Sequence, residues 1–551
     1  MKKKFLLLGG FFVLVLLSVM LFTGGAQAAP GDPVAHWSPC YRDLGPYECA
    51  LVNVPLDYDH PGRATIQIAM VRLPAADPDN RIGSLFLNPG GPGGSGVDFA
   101  LQIAPVLYTP EVRARFDIVG FDPRGIMRST GLRCFGNPRQ WAGYLTDFVY
   151  PTSPAEEVIW EEADLFLVNN CDQRAGRILD HMSTADVARD LDLLRQAVGD
   201  DLLTYAGFSY GSFLGNTYAN LFPDKVRAVV IDAVLDPIAW TTGAPGEENL
   251  PFTYRLRSDA GALATLNEFF RLCDAGGPNC AFSGGAATRY ADLVARLEAN
   301  PLPIPMPDGS IFIFTETHLI GESLLAMYNS FSWPSFAEFL ALIDMLAPPA
   351  EIGASLDAYW QEAGFVNKRG DPAYPNSVEG FPGVGCSDSD NPDNYAAWSA
   401  AAADAQANYG YFGPIWTWLS SACAQWPGSM ASRYAGPFTA NTANPVLVVG
   451  NLYDPATRYE GAVTVDGLLQ NSALLTVAGW GHASLFLSQC ADAVVADYLV
   501  NGTVPAPGTV CYQDYVPFTG PPLTTSSSPA AAARAAAVPT LLFDGMRQGT
   551  R

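Results

Sequence analysis

Charge is scarce in this chain of 551 residues. Asp, Glu, Lys and Arg together make up 16%, against 49% hydrophobic residues. Basic residues are the rarer sign, 31 against 55 acidic, for a formal net charge of −24. That balance speaks against nucleic acid and against anionic membrane surfaces as partners. Histidine is scarce as well, and His36, His60, His181 and His318 are too scattered along the chain to form a metal site. The ten cysteines include no C-x-x-C pair, so zinc is not expected. Beyond residue 22 no run is long and apolar enough to span a bilayer. A glycine-rich run, Asn88 to Gly96, lacks both G-K-[ST] and G-x-G-x-x-G, which removes phosphate cradling as its job. No internal repeat is present. What remains is a large globular chain, expected to work without metal or cofactor.

The N-terminus says where such a chain goes. Lys2-Lys3-Lys4, the apolar stretch Phe5 to Phe22 and Ala26-Gln27-Ala28 have the layout of a signal peptide over residues 1–28, with maturation near Ala29. The expectation is a secreted or cell-envelope protein with no membrane attachment after cleavage. All ten cysteines lie in the mature part, an even number that fits an oxidising compartment. Proximity in sequence suggests the pairs Cys40–Cys49, Cys134–Cys171, Cys273–Cys280, Cys386–Cys423 and Cys490–Cys511.

Strand and helix signals alternate over residues 29–237. Residues 30–60, rich in Pro, Asp and Tyr, read as an irregular, disulfide-tied lead-in. Ala64–Leu73 alternates like a strand, and Gly83–Leu87, Phe116–Phe121, Leu202–Ala206 and Val226–Asp232 are short apolar runs of the buried-strand type. Ser183–Val198 has a helical stripe behind a capping residue. The rhythm changes over residues 238–441, where helical stretches, Pro/Gly breaks and many aromatics predict a mainly helical insertion. It returns over residues 442–515 with Pro445–Gly450, Ala473–Val477 and a final helix. Residues 516–551 end in a Ser/Pro/Ala tract and read as a low-complexity tail. Alternation of this kind calls for a mostly parallel sheet covered on both faces.

Chemistry-bearing residues sit at the ends of these predicted strands. Gly207-Phe208-Ser209-Tyr210-Gly211 follows one strand and opens a helix, the setting of a G-x-S-x-G nucleophile elbow. Asp454 lies just past Val446–Val449, and His482 just past Ala473–Val477, 28 residues later. Ser209, Asp454, His482 is the chain order of an α/β-hydrolase triad. A serine hydroxyl needs a base to become a nucleophile, an imidazole can act as that base near neutral pH, and a carboxylate holds the imidazole in the right tautomer. An oxyanion hole needs backbone N–H groups. One is expected from Tyr210, the residue after the nucleophile, and the other from Gly91 in the glycine-rich loop, with Gly90 as the neighbouring alternative.

Asn88-Pro89-Gly90-Gly91-Pro92-Gly93-Gly94-Ser95-Gly96, Asp122-Pro123-Arg124-Gly125, the elbow and Tyr453-Asp454-Pro455-Ala456-Thr457 together resemble the secreted bacterial tripeptidyl aminopeptidases, proline iminopeptidase-like α/β-hydrolases. The likeness runs from about Trp37 to Cys511. It implies an α/β-hydrolase fold with a helical cap and a serine exopeptidase acting near free N-termini. One departure is visible: the family usually carries a glycine two residues after Asp-Pro-Arg-Gly, and here Met127 stands at that place. Recognition of a cationic α-amine calls for a carboxylate in the pocket wall. Glu247 or Glu248 at the cap entrance and Asp388 are the candidates, and a similar Cys-x-Asp segment in the family favours Asp388. The expected partner is a peptide or a small ester or amide. A carboxylesterase or amidase of the same fold is the rival reading, and a non-catalytic binding protein is a third. Oligomeric state is not legible.

Overall fold

The computed structural model describes residues 33–137, 140–305, 311–345, 349–362 and 376–520. The expected signal peptide and the Ser/Pro/Ala tract lie outside them. Twelve strands are present among the described residues: β1 (Ser38–Pro39), β2 (Glu48–Pro55), β3 (Thr65–Leu73), β4 (Gly83–Asn88), β5 (Phe116–Phe121), β6 (Leu203–Phe208), β7 (Val226–Asp232), β8 (Leu302–Pro305), β9 (Ile311–Phe314), β10 (Val446–Tyr453), β11 (Ser472–Trp480) and β12 (Val510–Tyr512). Ten of them form one sheet, ordered β1-β2-β3-β5-β4-β6-β7-β10-β11-β12. From β5 to β12 every neighbouring pair is parallel, and the β1–β2, β2–β3 and β3–β5 pairs are antiparallel.

β4, β5 and β6 are buried at every position, the pattern of strands covered on both faces. Because side chains alternate, Phe86, Val119, Tyr205 and Val229 enter one core layer, and Leu85, Leu87, Ile118, Ala206 and Val230 enter the other. The lead-in is less irregular than its composition suggests. Ala50, Val52 and Val54 alternate inward along β2, and this strand pairs over its whole length with β3. The outward-facing Leu51, 55% exposed, breaks the apolar–polar alternation and hides it in the sequence.

Between β7 and β10 the chain is helical, with Ser258–Gly276, Ala286–Ala299, Glu316–Tyr328, Trp333–Asp344 and Tyr395–Tyr409 among its longer helices and the β8–β9 hairpin as an element the sequence did not signal. These helices bury a core of their own around Leu266, Phe269, Tyr290, Trp333, Phe336 and Trp398. Val149, Tyr150 and Trp160 join it from the first half of the chain. So does Phe518, which is 2% exposed, so the chain is packed for a few residues beyond the expected start of the tail at 516. The five disulfides join the five pairs suggested by proximity. They fit an extracytoplasmic protein. Among the described residues no helix is long and apolar enough to cross a membrane.

Candidate active site

Register brings the functional loops together. Asn88 pairs with Gly207, Phe208 with Asp232, Val449 with Asp232, and Tyr453 with Trp480. The glycine-rich loop, Ser209, Asp454 and His482 therefore all leave the sheet at the C-terminal ends of parallel strands, on one edge.

Ser209 directly follows β6 with φ 59° and ψ −126°, a backbone conformation few non-glycine residues adopt. The strain is held from several sides. The Ser209 N–H donates to the Asp232 carbonyl (3.0 Å), and the Ser212 hydroxyl donates to the Ser209 carbonyl (2.5 Å). The turn is also too tight for side chains: a Cβ on Gly207 would lie 2.2 Å from the Gly211 carbonyl oxygen. Beside it, a Cβ on Gly90 would come within 2.4 Å of the Phe208 carbonyl oxygen and 2.8 Å of the Ser209 Cβ, and Gly90 has φ +99°. The glycine loop thus lies directly against the elbow. Asp122 anchors its far end, accepting from the Ser95 hydroxyl (2.5 Å) and from the N–H groups of Val97 and Arg128. Arg124 of the same motif is buried in a bidentate pair with Asp190 (2.6 and 2.7 Å), so that segment is scaffold.

His482 and Asp454 meet in the interior. The Nδ1–H of His482 donates to both Asp454 carboxylate oxygens, at 2.9 and 3.0 Å. Asp454 also accepts from the N–H groups of Ala456 (2.9 Å), Thr457 (2.8 Å) and Ala483 (3.1 Å). Burial works to raise its pKa, but the His482 ring and these hydrogen bonds outweigh it and hold the carboxyl below its ordinary value. The histidine is fixed from behind: its N–H donates to the Tyr328 carbonyl (3.0 Å), and the Tyr328 ring packs 4.8 Å from the imidazole. Ser209 and Tyr328 line the same cavity.

That cavity is lined by Gly91, Pro92 and Ser209 and by the aromatic residues Trp240, Phe252, Phe381 and Trp416. None of the described residues that line it carries a charged side chain. The three candidate amine-binding carboxylates, Asp388, Glu247 and Glu248, lie elsewhere. Asp388 is buried behind Trp240, its oxygens occupied by the Thr184 N–H (2.9 Å), the Thr184 hydroxyl (2.6 Å) and the Trp240 indole N–H (3.3 Å). Burial pushes its pKa up to about 6. Glu247 accepts from the Ala244 N–H in a surface turn. A carboxylate needed at a pocket wall and one consumed by internal donors are the same letter in the chain. Of the oxyanion candidates, Gly91 lines the cavity, whereas the Gly90 N–H is already donated to the Asn88 side-chain oxygen (2.9 Å). Tyr210 is the first residue of the helix Tyr210–Leu221, where an N–H has no intrahelical acceptor.

Two supporting residues were not singled out from the sequence. Asp232 accepts from the Ser484 N–H (3.0 Å) and hydroxyl (2.7 Å), tying the loop after His482 to the end of β7. Burial pushes its pKa up to about 6. Its signal was an acid closing a run of apolar residues, Val229-Val230-Ile231-Asp232. Tyr328 left no signal, because its backbone carbonyl is what acts.

The sheet order, the elbow and the strand-end loops define an α/β-hydrolase. Residues 83–260 match the family model described as alpha/beta hydrolase fold, and residues 408–511 match the one described as TAP-like protein. The chain is 31% identical to serine protease Hip1 of Mycobacterium tuberculosis, over 90% of this chain and 95% of that one. It is 32% identical to carboxylesterase B of Mycobacterium tuberculosis (88% and 92%) and 28% identical to tripeptidyl aminopeptidase of Streptomyces lividans (86% and 86%). The chain belongs to the tripeptidyl aminopeptidase-like family of α/β-hydrolases and is a serine hydrolase.

Proposed function

We propose that this protein is an exported serine peptidase that hydrolyses peptide bonds near free N-termini through Ser209, His482 and Asp454. The observation that carries the chemistry is the two-pronged hydrogen bond from His482 Nδ1 to Asp454, behind a cavity that has the strained Ser209 in its lining. With Nδ1 protonated and committed to Asp454, Nε2 is the nitrogen left to act as base. Ser209 Oγ attacks the carbonyl carbon while its proton passes to Nε2. The carbonyl oxygen becomes an oxyanion that accepts from the N–H groups of Tyr210 and Gly91. Collapse breaks the scissile bond, the imidazolium protonates the leaving amine, and a water activated by the same imidazole releases the acyl group from Ser209. The aromatic wall suits an apolar side chain next to the scissile bond. Export rests on the basic and apolar N-terminal sequence and fits the five disulfides.

A second reading is favoured by one observation. The described lining of the cavity has no carboxylate to meet an α-amine, which suits an uncharged ester or amide, the carboxylesterase alternative. Chromogenic peptides with free and with blocked N-termini, run beside simple esters, separate the two. The peptidase reading expects free N-termini to be preferred. Equal cleavage of blocked peptides, or preference for esters, overturns it. A fluorophosphonate should label the wild type, and Ser209→Ala should take up none and lose turnover by about 10⁶-fold. A folded wild type that stays unlabelled removes the serine mechanism itself.

A further inference from the structure

Asp388 is an expensive residue to place. It is the last residue of the helix Ser377–Asp388, where the helix dipole disfavours a negative charge, and it is 1% exposed. The Cys386–Cys423 disulfide, two residues back, holds that helix end in position. The carboxylate does not reach the cavity, so substrate contact does not explain it.

Its hydrogen bonds run toward the elbow. Thr184, the first residue of the helix Thr184–Ala197, gives Asp388 both its N–H (2.9 Å) and its hydroxyl (2.6 Å). A helix N-terminus is where a carboxylate is favoured. Because the Thr184 hydroxyl proton points at Asp388, its oxygen accepts from the Tyr210 phenol (2.6 Å). Tyr210 is the residue after Ser209. Its ring packs at 5.8 Å from Trp240, whose indole N–H also donates to Asp388 (3.3 Å) and whose face lines the cavity. One buried carboxylate from the helical insertion therefore grips both the residue next to the nucleophile and the aromatic wall.

We propose that Asp388 is a positioning residue of the active site: through Thr184 and the Tyr210 phenol it fixes the Tyr210 backbone N–H against the developing oxyanion, and through Trp240 it fixes the wall that holds the acyl group. This rests on the reading of Ser209 and Tyr210 given above. Removing the acceptor frees Thr184 to reorient and releases the Tyr210 ring, and misplacement of a reacting group by about 1 Å costs on the order of 10²-fold in rate. The loss falls on kcat, since the ground state gains little from an oxyanion donor.

The test compares Asp388→Ala and Asp388→Asn, with Thr184→Val and Thr184→Ser as a second pair, on an ester and on a free-N-terminus peptide. Each variant is titrated to end point with a fluorophosphonate to count competent sites. Expected is a loss of kcat of about 10- to 100-fold in Asp388→Ala and Thr184→Val, with KM nearly unchanged, the same for both substrates and with full labelling stoichiometry. Thr184→Ser, which keeps the hydroxyl, should retain most of kcat, and Asp388→Asn, which keeps one acceptor oxygen but turns an NH2 toward a donor, should fall between wild type and Asp388→Ala. A loss of turnover that only follows the labelled fraction means a structural residue and overturns the proposal. A rise in KM confined to the free-N-terminus peptide means an amine-binding residue and also overturns it. An unlabelled wild type instead removes the Ser209 reading, whereas a labelled wild type with unaffected Asp388→Ala kinetics removes this proposal alone.

Discussion

The strand-end edge of the sheet and the helical insertion above it are built on opposite plans. At the edge, each functional side chain sits at a fixed step from a buried strand: Ser209 directly after β6, Asp454 directly after β10, His482 two residues after β11. Backbone register positions them, so their neighbours are decided by pairing rather than by packing. In the insertion, position is set by side chains filling space between helices. Phe269 packs against both Trp333 and Phe336, and Phe252 packs against both Trp240 and Phe381 across three segments. The difference teaches where each kind of function resides. Register-built positions suit a reaction that needs atoms placed closely, and packing-built positions suit a pocket whose shape sets what enters.

The two regions should respond differently to substitution. The largest effect belongs to the edge. Asp454→Asn keeps the volume but offers an amide where a carboxylate now accepts from His482, and turnover should fall by about 10⁴-fold on every substrate, read as kcat by steady-state kinetics. Next is Gly90→Ala. The new Cβ has no room against Phe208 and Ser209, so the glycine loop must back away from the elbow. Loss of one oxyanion donor costs about 10²–10³-fold, again independent of substrate. A substrate-dependent loss in either variant would break the comparison. Cavity-wall residues of the insertion, unlike the inward-turned Asp388, should give smaller and selective effects. Trp416→Ala opens the cavity wall and should change the ratio of kcat/KM between a large and a small apolar substrate by about 10- to 200-fold, with labelling of Ser209 intact. Uniform loss across substrates would merge the two regions. The smallest effect lies between them. Met127, with φ +41°, gives its N–H to Asn376 at the mouth of the insertion (2.8 Å), so Met127→Gly should relieve left-handed strain and shift stability by no more than about 1 kcal/mol in thermal unfolding.

Much of the edge was legible because its rules are local. A buried strand reads as a short apolar run, and a tight turn reads as glycine, so Gly83–Leu87 and Phe116–Phe121 were recognisable along with the loops they deliver. Met127 stands where the family resemblance implies a glycine, and its φ of +41° lies in the left-handed region that favours one. β2 is hidden because an outward-facing leucine, Leu51, breaks its alternation, and the β8–β9 hairpin because four-residue strands leave too short a pattern. That Asp388 and Glu247 lie away from the cavity is not legible, for a different reason. Composition cannot tell a carboxylate facing a cavity from one turned inward to an N–H, since that depends on which helix end arrives opposite it.

The sequence by itself determined the alternation of the central strands with helices, the elbow, the glycine loop and the chain order of Ser209, Asp454 and His482, and it suggested cysteine pairs that the structure joins. Those features depend on neighbours along the chain, where spacing and residue type carry the information. Only the tertiary structure decided that Asp232 braces the loop after His482, that a carbonyl of Tyr328 holds the histidine, and that Asp388 serves Thr184 and Trp240 instead of the cavity. Each of these contacts joins residues more than a hundred positions apart through groups that every residue or every acid possesses. Their meaning comes from who faces them, and packing alone settles that.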